Sequence, residues 1–285
     1  MQIIQCEQGS NKWLLARLGR PTASRFGDIV TTTGKPSKAA ARDKYLWQLV
    51  GERLTGRTTE HFESDAMRRG TALEPIARDW YSMQTGNKVE QIGFVYALDG
   101  RTGGSPDGLI GDDGAIEIKA LLLHNHIAAI ADDELCSAHY MQAQGVMWVT
   151  DRRWLDFVHF TDAQGVPSRY LRIERDDKLT AALEEHIGAF CDDLDAAEAK
   201  IRERYELPER KAVDIDKASG DWCPWPDAPI ENSEKETGEQ TKQEAGNDDR
   251  NSIDGIGQRA NRNGNDSAEC AGSATKGREG ANRLF

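Results

Sequence analysis

The chain has 285 residues, room for one large domain plus an extension, and its net charge of −12 excludes a protein that coats nucleic acid through bulk charge. A locally basic channel on an acidic body is still allowed. The start, Met1-Gln2-Ile3-Ile4-Gln5-Cys6-Glu7, lacks the basic and apolar stretches of a signal peptide, and no run is long enough to suggest a membrane span.

The cysteines at 6, 136, 191, 223 and 270 keep neither zinc nor iron–sulfur spacing, so reduced thiols in a cytoplasm are expected. In chain order, residues 10–18 read as a short helix with Trp13, Leu14 and Leu15, stopped at Gly19. Thr22 is expected to cap a second helix through Phe26 to Val30. The stretch 31–38, broken by Gly34 and Pro36, reads as a loop, and Ser37 as the cap of a helix to about Leu54. A charged loop follows over 55–65. The spacing of Leu73, Ile76, Ala77, Trp80 and Tyr81 predicts a helix over 71–85, with Pro75 tolerable only in its first turn. Strands are expected at 88–98, 103–110 and 115–121 in meander order. Then come a helix at 136–147, strands at 153–160 and 169–174, and a long amphipathic helix from Asp176 to about Arg204.

The fold class is therefore α/β (α+β), a central mixed sheet flanked by helices, in a domain over 1–208. A connector, 209–229, carries Trp222-Cys223-Pro224-Trp225-Pro226. The last 56 residues, 230–285, hold 11 acidic and 8 basic residues and one aromatic, too little apolar area to order a tail.

Ser105-Pro106-Asp107-Gly108 followed by Ile116-Glu117-Ile118-Lys119 is where chemistry concentrates. On a strand, residues two apart share a face, so Glu117 and Lys119 point together while Ile116 and Ile118 enter a core. Hard cations prefer carboxylate, carbonyl and water oxygens. Asp107, Glu117 and the Ile118 carbonyl could hold one divalent ion, with Asp107 bridging to a second about 3.5–4 Å away. Lys119 would orient the attacking water, and Glu74 would reach the site through a metal-bound water. For the two carboxylates to converge, the hairpin loop must have odd length. Asp112-Asp113-Gly114, with Gly114 left-handed, would pair 107 with 119 and 109 with 117. Each motif alone is a common turn or strand edge; together they point to metal-assisted phosphodiester hydrolysis.

The chain resembles the lambda-type alkaline exonucleases, the YqaJ-like viral recombinase group of the PD-(D/E)XK (restriction-endonuclease-like) nucleases. The resemblance covers about residues 10–204. It is carried by Arg17-Leu18-Gly19, Thr22-Ala23-Ser24, Arg69-Gly70 with Glu74, the two motifs above, Gln142-Ala143-Gln144, Met147-Trp148-Val149-Thr150 and Ile173-Glu174-Arg175-Asp176. It implies a Mg²⁺-dependent, processive 5′→3′ exonuclease on linear double-stranded DNA, with two ions per site and Mn²⁺ able to substitute. It further implies a ring-shaped homotrimer, a single-strand annealing partner and a phage or prophage origin. By the same resemblance Arg17 and Ser24 would grip a 5′-phosphate, Ser105 and Gln142 would line the scissile strand, and Met67 would be an apolar wedge. His139 departs from the family, standing where its members carry tyrosine. His124-Asn125-His126 reads as a loop after the strand, with a His-x-His metal site a minor alternative. Two other functions compete: a structure- or sequence-specific endonuclease on this fold, and a DNA-end-binding adaptor without catalysis.

Overall fold

The computed structural model describes residues 1–59, 64–131 and 135–209. The connector and tail expected over 209–229 and 230–285 lie, apart from residue 209, outside the described residues.

The N-terminal half is mostly helical. After strand β1 (Gln2–Ile4), helix α1 spans Asn11–Arg17, capped by Ser10, whose hydroxyl accepts the Trp13 N–H. The segment after Thr22 divides into a 3-10 turn, Ala23–Arg25, and one helical turn, α2 (Phe26–Ile29). Helix α3 covers Ala40–Thr55 and starts later than the expected Ser37 cap. Ser37 Oγ accepts only the Ala39 N–H at 3.3 Å, a local turn that competes with the helix.

Helix α4, Asp65–Thr85, begins well before the expected position because Ser64 caps it, accepting the Met67 N–H. Pro75 therefore lies inside the helix, contrary to the requirement that it sit in the first turn. An interior proline costs about 3 kcal/mol. The buried stripe Leu73, Ala77 and Tyr81 packs against the sheet and offsets that loss.

Two of the three expected strands are broken. The region 88–98 becomes β2 (Val89–Glu90) and β3 (Phe94–Tyr96), and 103–110 becomes β4 (Gly103–Gly104) and β5 (Gly108–Ile110). Strands β3 and β4 join β1 in a three-stranded sheet, while β2 and β5 belong to a five-stranded one. The register runs through the break: 89 pairs with 110, 90 with 109, 95 with 104 and 96 with 103. At the break, Gly93 lies so close to β1 that a Cβ would fall 2.3 Å from the Ile4 carbonyl oxygen. Opposite it stands Pro106, which has no N–H to give the ladder.

The larger sheet has the order β2-β5-β6-β7-β8, with β6 (Gly114–Lys119) parallel to β7 (Trp154–His159) and the other pairs antiparallel. Strand β8 spans Arg169–Glu174, as expected. Ile110, Ile116, Ile118 and Val158 pack on the α4 side. Ala115, Leu155, Phe157 and Ile173 face helices α6 (Ser137–Thr150) and α7 (Asp177–Tyr205).

A helix absent from the sequence reading, α5 (Leu123–Ala131), follows β6. His124-Asn125-His126 is thus helical rather than loop. Residues two apart on a helix do not face each other: His124 is exposed, while His126 is buried with Nε2 2.9 Å from the Pro167 carbonyl oxygen. No His-x-His metal pair forms. Cys6 and Cys191 are free thiols, and the cysteines at 223 and 270 lie outside the described residues. Among the described residues no helix is long and apolar enough to cross a membrane.

Candidate active site

The β5–β6 hairpin determines where the carboxylates point. Its ladder pairs Gly108 with Ile116, Leu109 with Ala115 and Ile110 with Gly114, leaving the three-residue loop Gly111-Asp112-Asp113. The odd length is as expected, but the register is shifted by two residues, so 107 lies opposite 117 rather than 119. Gly111, not Gly114, takes the left-handed conformation, at φ +53°. Gly114 stays in the ladder for another reason: a Cβ there would fall 2.3 Å from the Trp154 ring. A two-residue shift preserves side-chain alternation, so Asp107 and Glu117 still share a face.

All ten residues singled out in the sequence line one cleft of about 1040 Å³: Arg17, Ser24, Met67, Glu74, Ser105, Asp107, Glu117, Ile118, Lys119 and Gln142. Strand β6 supplies one wall, α4 and the 3-10 turn the rim, and α6 the floor.

Asp107 and Glu117 are buried, and Asp107 Oδ2 accepts the Ile118 N–H at 2.6 Å. Glu117 Oε1 accepts two donors, Lys119 Nζ at 2.7 Å and the Gln142 side-chain amide. Its other oxygen, Oε2, is buried with no hydrogen-bond partner. Glu74 pairs with Arg78 at 2.7 Å, one helical turn on. Burial, then the charges of Glu117 and Glu74, push the Asp107 carboxyl well above the ordinary carboxylate range. Burial works against the Lys119 ammonium, but Glu117 and Asp107 outweigh it and the net shift is upward.

Such a set fits a hard divalent cation: an orphaned, desolvated carboxylate oxygen beside a second carboxyl whose charge its surroundings oppose. Among the described residues no three His, Cys, Asp or Glu side chains form a ready cage. The fit is to an ion that takes two carboxylates and completes its shell with carbonyl, water and phosphate oxygens.

Trp13, expected only as a residue of the first helix, also lines the cleft. Its indole N–H donates to Ser105 Oγ at 2.7 Å, and its ring lies under the Arg17 guanidinium, 4.2 Å from carbon to centroid. The signal was present, since residues 13 and 17 are one helical turn apart. Gln8 also reaches the motif, donating to the Pro106 carbonyl at 3.3 Å. Arg69 donates to the Leu121 carbonyl at 3.2 Å and pairs with Asp162, tying α4 to the chain just after Lys119.

Behind Lys119, His139 stacks on Phe157 with ring centroids 5.0 Å apart, and His159 lies 6.3 Å from His139. Burial, then the Lys119 charge, lowers His139 to about 4. Burial, then Arg169 and neighbouring charges, lowers His159 to about 3. Neither ring nitrogen of His159 has a hydrogen-bond partner.

The YqaJ-like viral recombinase domain profile matches residues 12–153. An alkaline exonuclease from Laribacter hongkongensis, LHK-Exo, has a crystal structure 37% identical in sequence to this chain, covering 69% of this chain and 98% of its own, with a TM-score of 0.63. The chain belongs to the lambda-type alkaline exonuclease family. LHK-Exo in complex with dAMP matches equally, at 37% identity and a TM-score of 0.63, over 69% of this chain and 98% of its own. A phage-related exonuclease from Haemophilus somnus 129PT, 16% identical, covers 64% of this chain and 96% of its own at a TM-score of 0.51, a likeness of fold. Among curated proteins nothing matches. The PD-(D/E)XK-like fold of the family accounts for the mixed sheet with its acidic cleft at the β5–β6 hairpin.

Proposed function

We propose that this member of the lambda-type alkaline exonucleases is a Mg²⁺-dependent deoxyribonuclease. It would degrade one strand of linear duplex DNA processively in the 5′→3′ direction, leaving 3′ single-stranded overhangs for recombination by strand annealing. The observation that carries the reading is the convergence of Asp107, Glu117 and Lys119 on one wall of a cleft that also holds Arg17.

Asp107, Glu117 and the Ile118 carbonyl would hold Mg²⁺, two ions per site in all, with Mn²⁺ able to replace it. The ion's contribution is to stabilise charge developing on the attacking and leaving oxygens. Lys119, kept protonated by its carboxylate neighbours, orients the attacking water, and Glu74 holds a second water at the rim. Ser105, fixed by Trp13, and Gln142 line the scissile strand. Because Gln142 also donates to Glu117, it holds that carboxylate in place as well.

Arg17 and Ser24 bind the 5′-terminal phosphate. A guanidinium suits this task because its planar fork donates to two phosphate oxygens at once. Met67, 54% exposed on the cleft rim, is free to wedge between terminal bases as an apolar side chain can.

Residues 1–208 carry the activity. The assembly is a homotrimeric ring working with a single-strand annealing protein, encoded by a phage or prophage and active in the host cytoplasm. A ring would explain how an acidic chain stays on DNA, since topology replaces charge.

The test is digestion of linear and closed circular duplex DNA with Mg²⁺ or with EDTA. Mononucleotides should be released from linear DNA only, and only with Mg²⁺. Nicking of the circle would favour an endonuclease, and retention of both substrates would mark a non-catalytic end binder.

A further inference from the structure

The turn that follows Arg17 at the end of α1 is gripped from both sides by two consecutive residues of α3. Glu52 Oε2 accepts the Gly19 N–H at 3.0 Å, and Arg53 Nε donates to the Gly19 carbonyl at 2.7 Å. Gly19 has φ +64°, and a Cβ on it would lie 2.4 Å from Arg53 Cγ, so the glycine is required by both conformation and contact. Arg53 is itself anchored to α7 through Asp195 at 2.6 Å and Glu198 at 3.3 Å.

Glu52 is only 6% exposed and does not line the cleft. Its second oxygen, Oε1, accepts the Thr59 hydroxyl at 3.0 Å and the Thr59 N–H at 3.3 Å. Thr59 stands just beyond the end of α3 at Thr55. One buried carboxylate thus joins the turn after Arg17 to the chain that follows α3. Its charge also supports the Arg17 cation, which burial disfavours.

We infer that Glu52 is a positioning residue for recognition of the DNA 5′ end, setting the Arg17 guanidinium through Gly19 while Thr59 fixes the other Glu52 carboxylate oxygen. The inference rests on the reading of Arg17 as the 5′-phosphate ligand.

The test uses the full chain and linear duplexes ending in 5′-phosphate or 5′-hydroxyl, with kcat and KM measured separately. Glu52→Gln keeps the shape but replaces an acceptor with a donor and removes the charge. It should raise KM for phosphorylated ends about tenfold, leave kcat within about twofold and reduce the preference for phosphate. Arg17→Ala, measured beside it, should lose that preference. If Arg17→Ala keeps the preference, the phosphate ligand has been misassigned and the inference falls with it. If Arg17→Ala loses it while Glu52→Gln leaves KM unchanged, or lowers kcat equally on both ends, Glu52 is a structural residue only. Should Glu52→Gln fail to fold, Thr59→Val decides: a KM rise of about twofold to threefold confined to phosphorylated ends supports the inference, and no change overturns it.

Discussion

Asp107 Oδ2 accepts the Ile118 N–H at 2.6 Å, so a side chain closes a bond beside the end of the β5–β6 ladder. The same carboxyl is raised well above its ordinary range, first by burial and then by Glu117 and Glu74. A folded-state pKa above the unfolded one means that the ionised form weakens the metal-free fold at neutral pH. The penalty fades as pH falls through the folded value. Asp107→Asn keeps an acceptor for Ile118 while removing the charge. We predict a metal-free protein that melts higher at pH 8, with about 2–4 °C gained per kcal/mol recovered, no stabilisation by Mg²⁺ and no nuclease activity. Melting curves with Mg²⁺ and with EDTA decide; equal Mg²⁺ stabilisation of both proteins would remove Asp107 from the metal site.

Lys119 has a narrower task. With Glu117 still held by Gln142, Lys119→Ala should leave the fold intact and DNA affinity within a few-fold of the parent. It should slow single-turnover cleavage by about 10²–10⁴, the usual worth of a positioned proton-handling group. A loss of DNA binding without a loss of the chemical rate would contradict the role.

Trp13 joins the two ends of the cleft, one through Ser105 and the other through Arg17. Trp13→Phe keeps a ring under the guanidinium and loses the indole N–H. One net hydrogen bond is worth about 1 kcal/mol, so kcat/KM should fall about fivefold. Trp13→Ala, which also removes the cation–π contact of about 1 kcal/mol, should fall further and lose part of the 5′-phosphate preference. Steady-state kinetics on both kinds of end separate the two contributions.

His159 reports on pH. Its folded pKa of about 3 lies below that of an unfolded histidine, so between about pH 6.5 and 3 the unfolded chain binds the extra proton and stability falls as pH falls. The slope from this residue is about 1.4 kcal/mol per pH unit. His159→Phe, which suits the apolar site beside Phe157, should flatten the dependence of unfolding free energy on pH between about 6 and 4 by that amount. Urea titrations at several pH values measure it. An unchanged slope would place the histidine's neutral form elsewhere in the titration.

The parts of the fold most legible in the sequence were those whose pattern is repeated or locally capped. Of the stripe Leu179, Leu183, Ile187, Phe190, Leu194 and Ile201, the first five are buried and Ile201 is half-buried, and Asp176 caps the helix by accepting the Lys178 and Leu179 N–H groups. Side-chain alternation likewise sufficed to put Glu117 and Lys119 on one face and Ile116 and Ile118 on the other. What escaped depends on contacts distant in sequence. Gly111 and Gly114 are equivalent as turn signals; only the Trp154 ring against Gly114 decides which of them bends the chain. The break of two strands at Gly93 and Pro106 needs β1, nearly ninety residues upstream. Helix α5 was hidden because a short apolar run beside a strand carries no period of its own. Ser64 is the local cap signal that sets the earlier start of α4.

Because the acid at 107 and the acid at 117 are brought together by counting residues around residues 111–113, that bend behaves as a phase setting. A library of insertions there should show survival that oscillates with insert length: one extra glycine inactivates, two restore partial nuclease activity, three inactivate again. Elsewhere on the surface, inserts of any of these lengths should be tolerated alike.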